Sequence, residues 1–201
     1  MDGQVKSWMN ALGHEFFRCY GPCMSIITGR GDSGDTDLLF SKRIAKTALR
    51  MEALGAVDEL NAALGLARAA GEDAELIAVI DGIQERLVGL MGQLATLPED
   101  DAKYLEKNYA RLVDADLEWV VNVAHEHEKR GVKFTGWARP GAEGSLARAG
   151  LDYARAVSRR AERNVLALHE SGQPVPEVVR LFFNRVSDLL WILARVDKGE
   201  A

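Results

Sequence analysis

Residues 50–70 read RMEALGAVDELNAALGLARAA, and Ala53, Val57, Leu60, Leu64 and Ala67 recur there at three- and four-residue steps. That spacing draws one apolar stripe down an amphipathic α-helix, because about 3.6 residues complete a turn. Gly71 ends the segment. The same period returns downstream. Leu76, Ile80, Ile83, Leu87, Leu90 and Leu94 mark a second helix over 73–96, stopped near Pro98. A third, over 101–130, carries Leu105, Leu112, Leu117, Val120, Val121 and Ala124 and closes at Lys129-Arg130-Gly131, with cations that suit a helix C-terminus. A fourth spans 143–171. The fifth, 175–197, has Val178, Leu181, Phe182, Val186, Leu189, Ile192 and Leu193. Five such segments with short connections predict an all-α fold, a five-helix bundle preceded by a glycine-rich loop.

Upstream of the helices the text changes character. Residues 1–23 follow no clean period and are expected to be a flexible extension or an over-long start, which leaves 24–201 as a single domain. Met24 to Thr28 is a short β-prone run. Gly29 to Asp37 (GRGDSGDTD) reads as a loop that no regular element tolerates, and 38–49 read as irregular.

The chain has 201 residues, 47% hydrophobic and 27% charged, which suits one globular core. Lys and Arg number 25 against 30 Asp and Glu, a net charge of -5, so no global positive field recruits nucleic acid or anionic lipid. The 2 cysteines, Cys19 and Cys23, make neither a disulfide framework nor a four-ligand zinc pattern. No run approaches the roughly 18 apolar residues that span a bilayer, and residues 1–23 lack a signal layout. A cytoplasmic protein with no membrane or nucleic-acid partner is expected.

The loop Gly29-Arg30-Gly31-Asp32-Ser33-Gly34-Asp35-Thr36 has the spacing of a phosphate-cradling P-loop, except that Asp35 stands where the lysine belongs. A carboxylate there repels phosphate, and the chain lacks the alternating βα units that would support such a loop. Backbone N–H groups of a glycine loop still bind phosphate oxygens without that lysine; the bland alternative is a surface turn. On the fourth helix Arg155, Arg159 and Glu162 fall within about 60° of one another, while Arg160 points elsewhere. Such a row either is a solvated face or clamps a polyphosphate. Asn184, Ser187 and Asp188 interrupt the apolar fifth helix, as Asp58 and Asn61 do the first; these either pair with the arginines or hydrogen-bond across the bundle. The run His125, Glu126, His127, Glu128 occurs once, without the second copy a di-iron bundle requires, and reads as surface with no metal site.

The series ITGRGDSGDT, KRIAKTALRMEALGAVDELNAALG, RPG, RAVSRRAER and FFNRVSDLLWILAR resembles, in order and from Met24 onward, the PduO-type ATP:cob(I)alamin adenosyltransferases, the corrinoid adenosyltransferases. The resemblance implies a homotrimer with ATP and the corrinoid between subunits, transfer of the 5′-deoxyadenosyl group of ATP to cobalt, and Mg²⁺ with the triphosphate. A reductase is implied as a partner. By position it assigns Thr28, Gly29, Arg30, Gly31, Asp32, Gly34 and Thr36 to the phosphates, with Lys46, Arg50, Arg159, Arg160, Glu162, Arg163 and Asn184 at the nucleotide. It makes Asp58 and Arg155 a pair across the subunit boundary, catalytic together with Arg159, and sets Trp137 and Asp188 at the corrinoid. The family's lysine in this loop is replaced by Gly29, and Arg30 is the implied substitute; its phenylalanine under the corrin aligns with Trp137. The alternative is an ATP-binding helical interaction or sensing module without adenosyl transfer.

Overall fold

A computed structural model describes residues 27–132, 136–142 and 144–196. The extension expected over 1–23 lies outside the described residues, as does most of the β-prone run at 24–28, of which Ile27 and Thr28 form no strand.

Six helices occur among the described residues: α1 (Leu49–Ala69), α2 (Ala74–Leu94), α3 (Asp101–Glu106), α4 (Asp114–Glu128), α5 (Leu146–Glu170) and α6 (Glu177–Leu193). Five are long and build the bundle. Their apolar stripes meet in one core, with Leu60, Leu64, Ile80, Ile83, Leu87, Leu151, Leu168, Phe182, Phe183 and Leu190 fully buried. Two starts are capped by side chains: Asp73 accepts from the N–H groups of Glu75 and Leu76, and Ser145 from that of Arg148. Helices α1 and α5 run antiparallel and approach so closely that a Cβ at Gly150 would lie 2.9 Å from the Ala67 Cα.

The helix expected over 101–130 is two helices. Tyr104 donates its hydroxyl hydrogen to the Ala110 carbonyl, and Asn108 adopts a left-handed φ of 51°, which asparagine tolerates better than most residues. The chain then crosses α2 at Gly89, where a Cβ would come within 3.0 Å of the 110–111 peptide, and the Leu112 N–H donates to Gln93 Oε1 at 2.9 Å. Asp116 restarts the helix by accepting the Val113 N–H at 2.9 Å. Leu105 is consequently exposed and Leu112 buried.

Residues 35–45 also depart from expectation. They form an antiparallel hairpin, β1 (Asp35–Asp37) with β2 (Arg43–Ala45), pairing Asp35 with Ala45, Thr36 with Ile44 and Asp37 with Arg43. The turn holds Phe40 and Ser41 at φ 57° and 59° and hangs from the end of α2, where the Leu39 N–H donates to the Ala95 carbonyl at 3.0 Å. Phe40 stacks on Tyr109, and Leu38 is buried. The four-residue run read as surface splits as well. His125 and Glu128 are exposed, but His127 is buried beside the Glu75–Arg130 ion pair, with Nδ1 2.9 Å from the Val123 carbonyl.

Candidate active site

The glycine loop is a pair of tight turns. The Asp32 N–H donates to the Gly29 carbonyl at 3.1 Å and the Gly34 N–H to that of Gly31 at 3.2 Å; Gly29 and Gly34 take φ of 66° and 91°, values that disfavour any side chain. At Gly31 the reason for glycine is space, since a Cβ there would sit 2.8 Å from the Lys46 ammonium. Lys46 is held there by its own N–H, which donates to the Gly34 carbonyl at 2.8 Å. Its ammonium makes no ion pair among the described residues, so a cation free to meet an anion lies on the loop backbone. Thr28 accepts the Arg30 N–H, and Thr36 lies within β1.

Arg30 is committed differently. Its guanidinium pairs with Asp37 at 3.0 Å, and Asp37 is shared with Arg43 at 3.2 Å. Beside this cluster opens a cavity of about 750 Å³, walled by Phe40 and Tyr109, by Met51, Leu54 and Asp58 of α1, and by Met91 of α2.

Arg50 is 3% exposed, and burial pushes its pKa below the ordinary arginine value. It donates to the carbonyls of Leu94 and Thr96 at 2.8 and 2.9 Å and to Gln173 at 3.1 Å. The Leu94 and Thr96 carbonyls lie at the end of α2 and flank Ala95, from which the hairpin hangs. Arg50 therefore bears on the loop through the backbone beneath it.

On α5 the arginines divide by direction. Arg160 pairs with Glu59 of α1, and Asn164 donates to the Glu52 carbonyl, so that side of α5 is covered by α1. Arg155 is half-buried and Arg159 and Arg163 are exposed, and their guanidiniums make no ion pair or hydrogen bond among the described residues. Glu162 is half-buried. The buried Asp152–Arg195 pair, 2.8 Å apart, sets the antiparallel register of α5 and α6. Seven residues along each chain from that pair, about two turns, lie Arg159 and Asp188; eleven residues, about three turns, lead to Arg163 and Asn184. Arginines, Asn184 and exposed Asp188 thus line one seam. Asn184 accepts from the adjacent Arg185 at 2.7 Å.

Asp58 is not on that seam. It faces the cavity with Met51 and Leu54, whereas α5 covers the side of α1 that carries Glu52 and Glu59. Within one chain the structure places the glycine loop, Lys46 and Asp58 in one region and the α5–α6 residues in another, and makes no Asp58–Arg155 pair. Trp137 is 86% exposed, on the loop between α4 and α5. Sequence reasoning missed Asp37 and Arg43, whose only signal was opposite charge on paired strands, and Asp152 with Arg195, which are 43 residues apart.

A family model described as cobalamin adenosyltransferase matches residues 26–197. The chain is 32% identical over 181 residues to the corrinoid adenosyltransferase PduO of Salmonella typhimurium, covering 89% of this chain and 51% of that protein. It therefore spans about half the length of that relative. It is 34% identical over 173 residues to the corrinoid adenosyltransferase of Mycobacterium leprae, covering 85% of this chain and 90% of that protein. Among solved structures, a variant PduO-type ATP:corrinoid adenosyltransferase from Lactobacillus reuteri complexed with cobalamin and ATP aligns with a TM-score of 0.74 at 27% identity, over 85% of this chain and 92% of that one. With a family match over nearly all of its described residues, the chain belongs to the cobalamin adenosyltransferase family.

Proposed function

We propose that this protein transfers the 5′-deoxyadenosyl group of ATP to the cobalt of cob(I)alamin or a related corrinoid, releasing triphosphate. The observation that carries this reading is the pairing of a glycine loop, with the Lys46 ammonium on its backbone, and a separate row of arginines on α5, Arg155, Arg159 and Arg163, none of them ion-paired among the described residues. Relatives whose names and complexes include a corrinoid and ATP support it.

In this reading the cobalt of the reduced substrate is the nucleophile. Its electron pair forms the bond to the 5′ carbon, the carbon–oxygen bond to the triphosphate breaks, and no side chain is needed as nucleophile. The chain holds ATP in line with the cobalt and stabilises the leaving triphosphate. The loop N–H groups not bonded within the loop, those of Thr28, Gly29, Gly31 and Ser33, take phosphate oxygens together with Thr36, the Arg30 side chain and Lys46, Arg159 and Arg163 add charge from α5, and Asn184 orients the nucleoside. Arg160 holds this stretch of α5 against α1 and Arg50 supports the hairpin, while half-buried Glu162 lies about one turn from Arg159. Trp137 offers the corrin an apolar face, with Asp188 at its edge.

Mg²⁺ suits these residues as an ion carried by the triphosphate. Among the described residues no three His, Cys, Asp or Glu side chains gather as ligands, and Mg²⁺ characteristically keeps water and phosphate oxygens in its shell. Bound there, it would neutralise charge on the leaving group, and the exposed Asp32 of the loop would be its carboxylate partner.

Because the two regions face different ways, the reading includes a homotrimer in which Asp58 of one chain meets Arg155 of the next. It also includes a cytoplasmic location and an electron donor that supplies cob(I)alamin. No described helix is long and apolar enough to cross a membrane. The deciding experiment incubates the protein with ATP, Mg²⁺ and chemically reduced cobalamin. A light-sensitive alkylcobalamin with one triphosphate per turnover supports transfer; ATP binding without either product indicates a sensing module.

A further inference from the structure

Trp137 lies in residues 136–142, a segment with left-handed Gly136 and Gly141, φ 63° and 72°. Glycine-rich backbone samples many conformations unless something ties it down. The Ala142 N–H bonds the Arg139 carbonyl at 3.2 Å, which closes the turn without attaching it to the bundle. Among the described residues a single hydrogen bond joins this segment to the helices: Arg195 Nη2 donates to the Ala138 carbonyl at 3.3 Å. Ala138 is the residue next to Trp137.

Arg195 is itself fixed on every side. Its Nη2 also donates to Asp152 Oδ1 at 2.8 Å, its Nη1 donates to the Trp191 carbonyl at 3.2 Å, and its guanidinium lies 4.9 Å from the centre of the Trp191 ring. The two charged side chains are only 7% and 9% exposed. A buried ion pair is a poor source of stability, since apolar residues of similar volume often serve as well. An apolar replacement, however, offers no donor to Ala138. The same four-way arrangement joins α5, the end of α6 and the tryptophan loop.

We propose that Asp152 and Arg195 are positioning residues for Trp137: Asp152 orients the guanidinium, the guanidinium grips the backbone beside the indole, and the indole is thereby held as a platform for the corrin macrocycle. This rests on the corrinoid reading of Trp137. Neither charged residue touches substrate.

The test compares Arg195→Met, Asp152→Asn, Trp137→Ala and the Arg195→Met/Trp137→Ala double variant. Arg195→Met and Asp152→Asn are expected to raise the KM for the corrinoid about 10-fold and to leave that for ATP within about twofold, because only one substrate loses its platform. The double variant is expected to be no worse than Trp137→Ala alone, since two residues acting through one contact are not additive. Hydrogen–deuterium exchange of 136–142 should be faster in Arg195→Met while the helices stay protected. If Arg195→Met fails to fold, Asp152→Asn, almost isosteric, carries the same readouts. Independent, multiplying effects of Arg195→Met and Trp137→Ala, or unchanged exchange in 136–142, overturn the proposal. Should the wild type make no alkylcobalamin at all, the adenosyl-transfer reading and the corrin platform fall together, while the exchange experiment still decides whether Arg195 tethers the loop.

Discussion

Arg43 on β2 reaches across the hairpin to the backbone carbonyl of Arg30, 3.1 Å away. The same guanidinium holds Asp37, which in turn holds the Arg30 side chain, so one carboxylate lies between two cations. The glycine loop is therefore oriented from its partner strand, and the Arg30 fork stays exposed on Asp37.

From this arrangement, Arg30→Ala is expected to raise the KM for ATP well above its effect on that for the corrinoid. A charge-assisted contact of about 1.5–3 kcal/mol corresponds to roughly 10- to 150-fold. Arg43→Ala should act in the same direction by releasing the loop. Steady-state kinetics with each substrate varied separately measures both; an unchanged ATP constant in Arg30→Ala assigns the phosphate contact to Lys46.

Arg159→Ala is expected to abolish turnover and leave the bundle folded. Its guanidinium has no partner in the chain among the described residues, and exposed substitutions of that kind change stability by about 0.5 kcal/mol or less. Circular dichroism melts alongside turnover provide the check, and a folded variant with near-normal rate and ATP affinity contradicts the role.

Arg50→Ala should behave in the opposite way. Removing the buried guanidinium strands the Leu94 and Thr96 carbonyls, each at about 1–3 kcal/mol. Denaturant unfolding should show a lower midpoint than wild type, larger than any change in Arg159→Ala.

Gly150→Ala is expected to destabilise by about 1–3 kcal/mol through overpacking against Ala67. That exceeds the roughly 1 kcal/mol alanine would gain in an open helix. The same unfolding experiment reads the sign, and a more stable variant would show that α1 and α5 can move apart freely.

Burial pushes the Tyr104 hydroxyl up to about 12 from its ordinary 10.0. The neutral phenol is favoured in the fold, so its contribution is complete below about pH 10 and declines as pH rises toward about 12, by roughly 2–3 kcal/mol in all. Tyr104→Phe should flatten that part of the pH dependence. Unfolding free energies at pH 8 and pH 11, compared between the two proteins, test it.

Residues such as Ala53, Leu60, Ile80, Leu87 and Phe182 were legible as core from their spacing alone, because burial of one helix face imposes the period that the sequence displays. The resemblance directed attention to the glycine loop and to α5. The break after α3 was not: Leu105 and Leu112 keep the helical period on either side of it, and what bends the chain is the space left by Gly89 and the Gln93 acceptor on another helix. Local sequence therefore determined the long helices and their buried faces, which depend on neighbours within a few residues, and motifs in order along the chain determined the family. Tertiary structure alone decided that Arg50 ends in the carbonyls of α2, that Asp58 and Arg155 occupy different faces of one chain, and that Arg195 meets Asp152 and Ala138. A long side chain chooses its partner from whatever packing brings within about 3 Å, and no spacing along the chain encodes that choice.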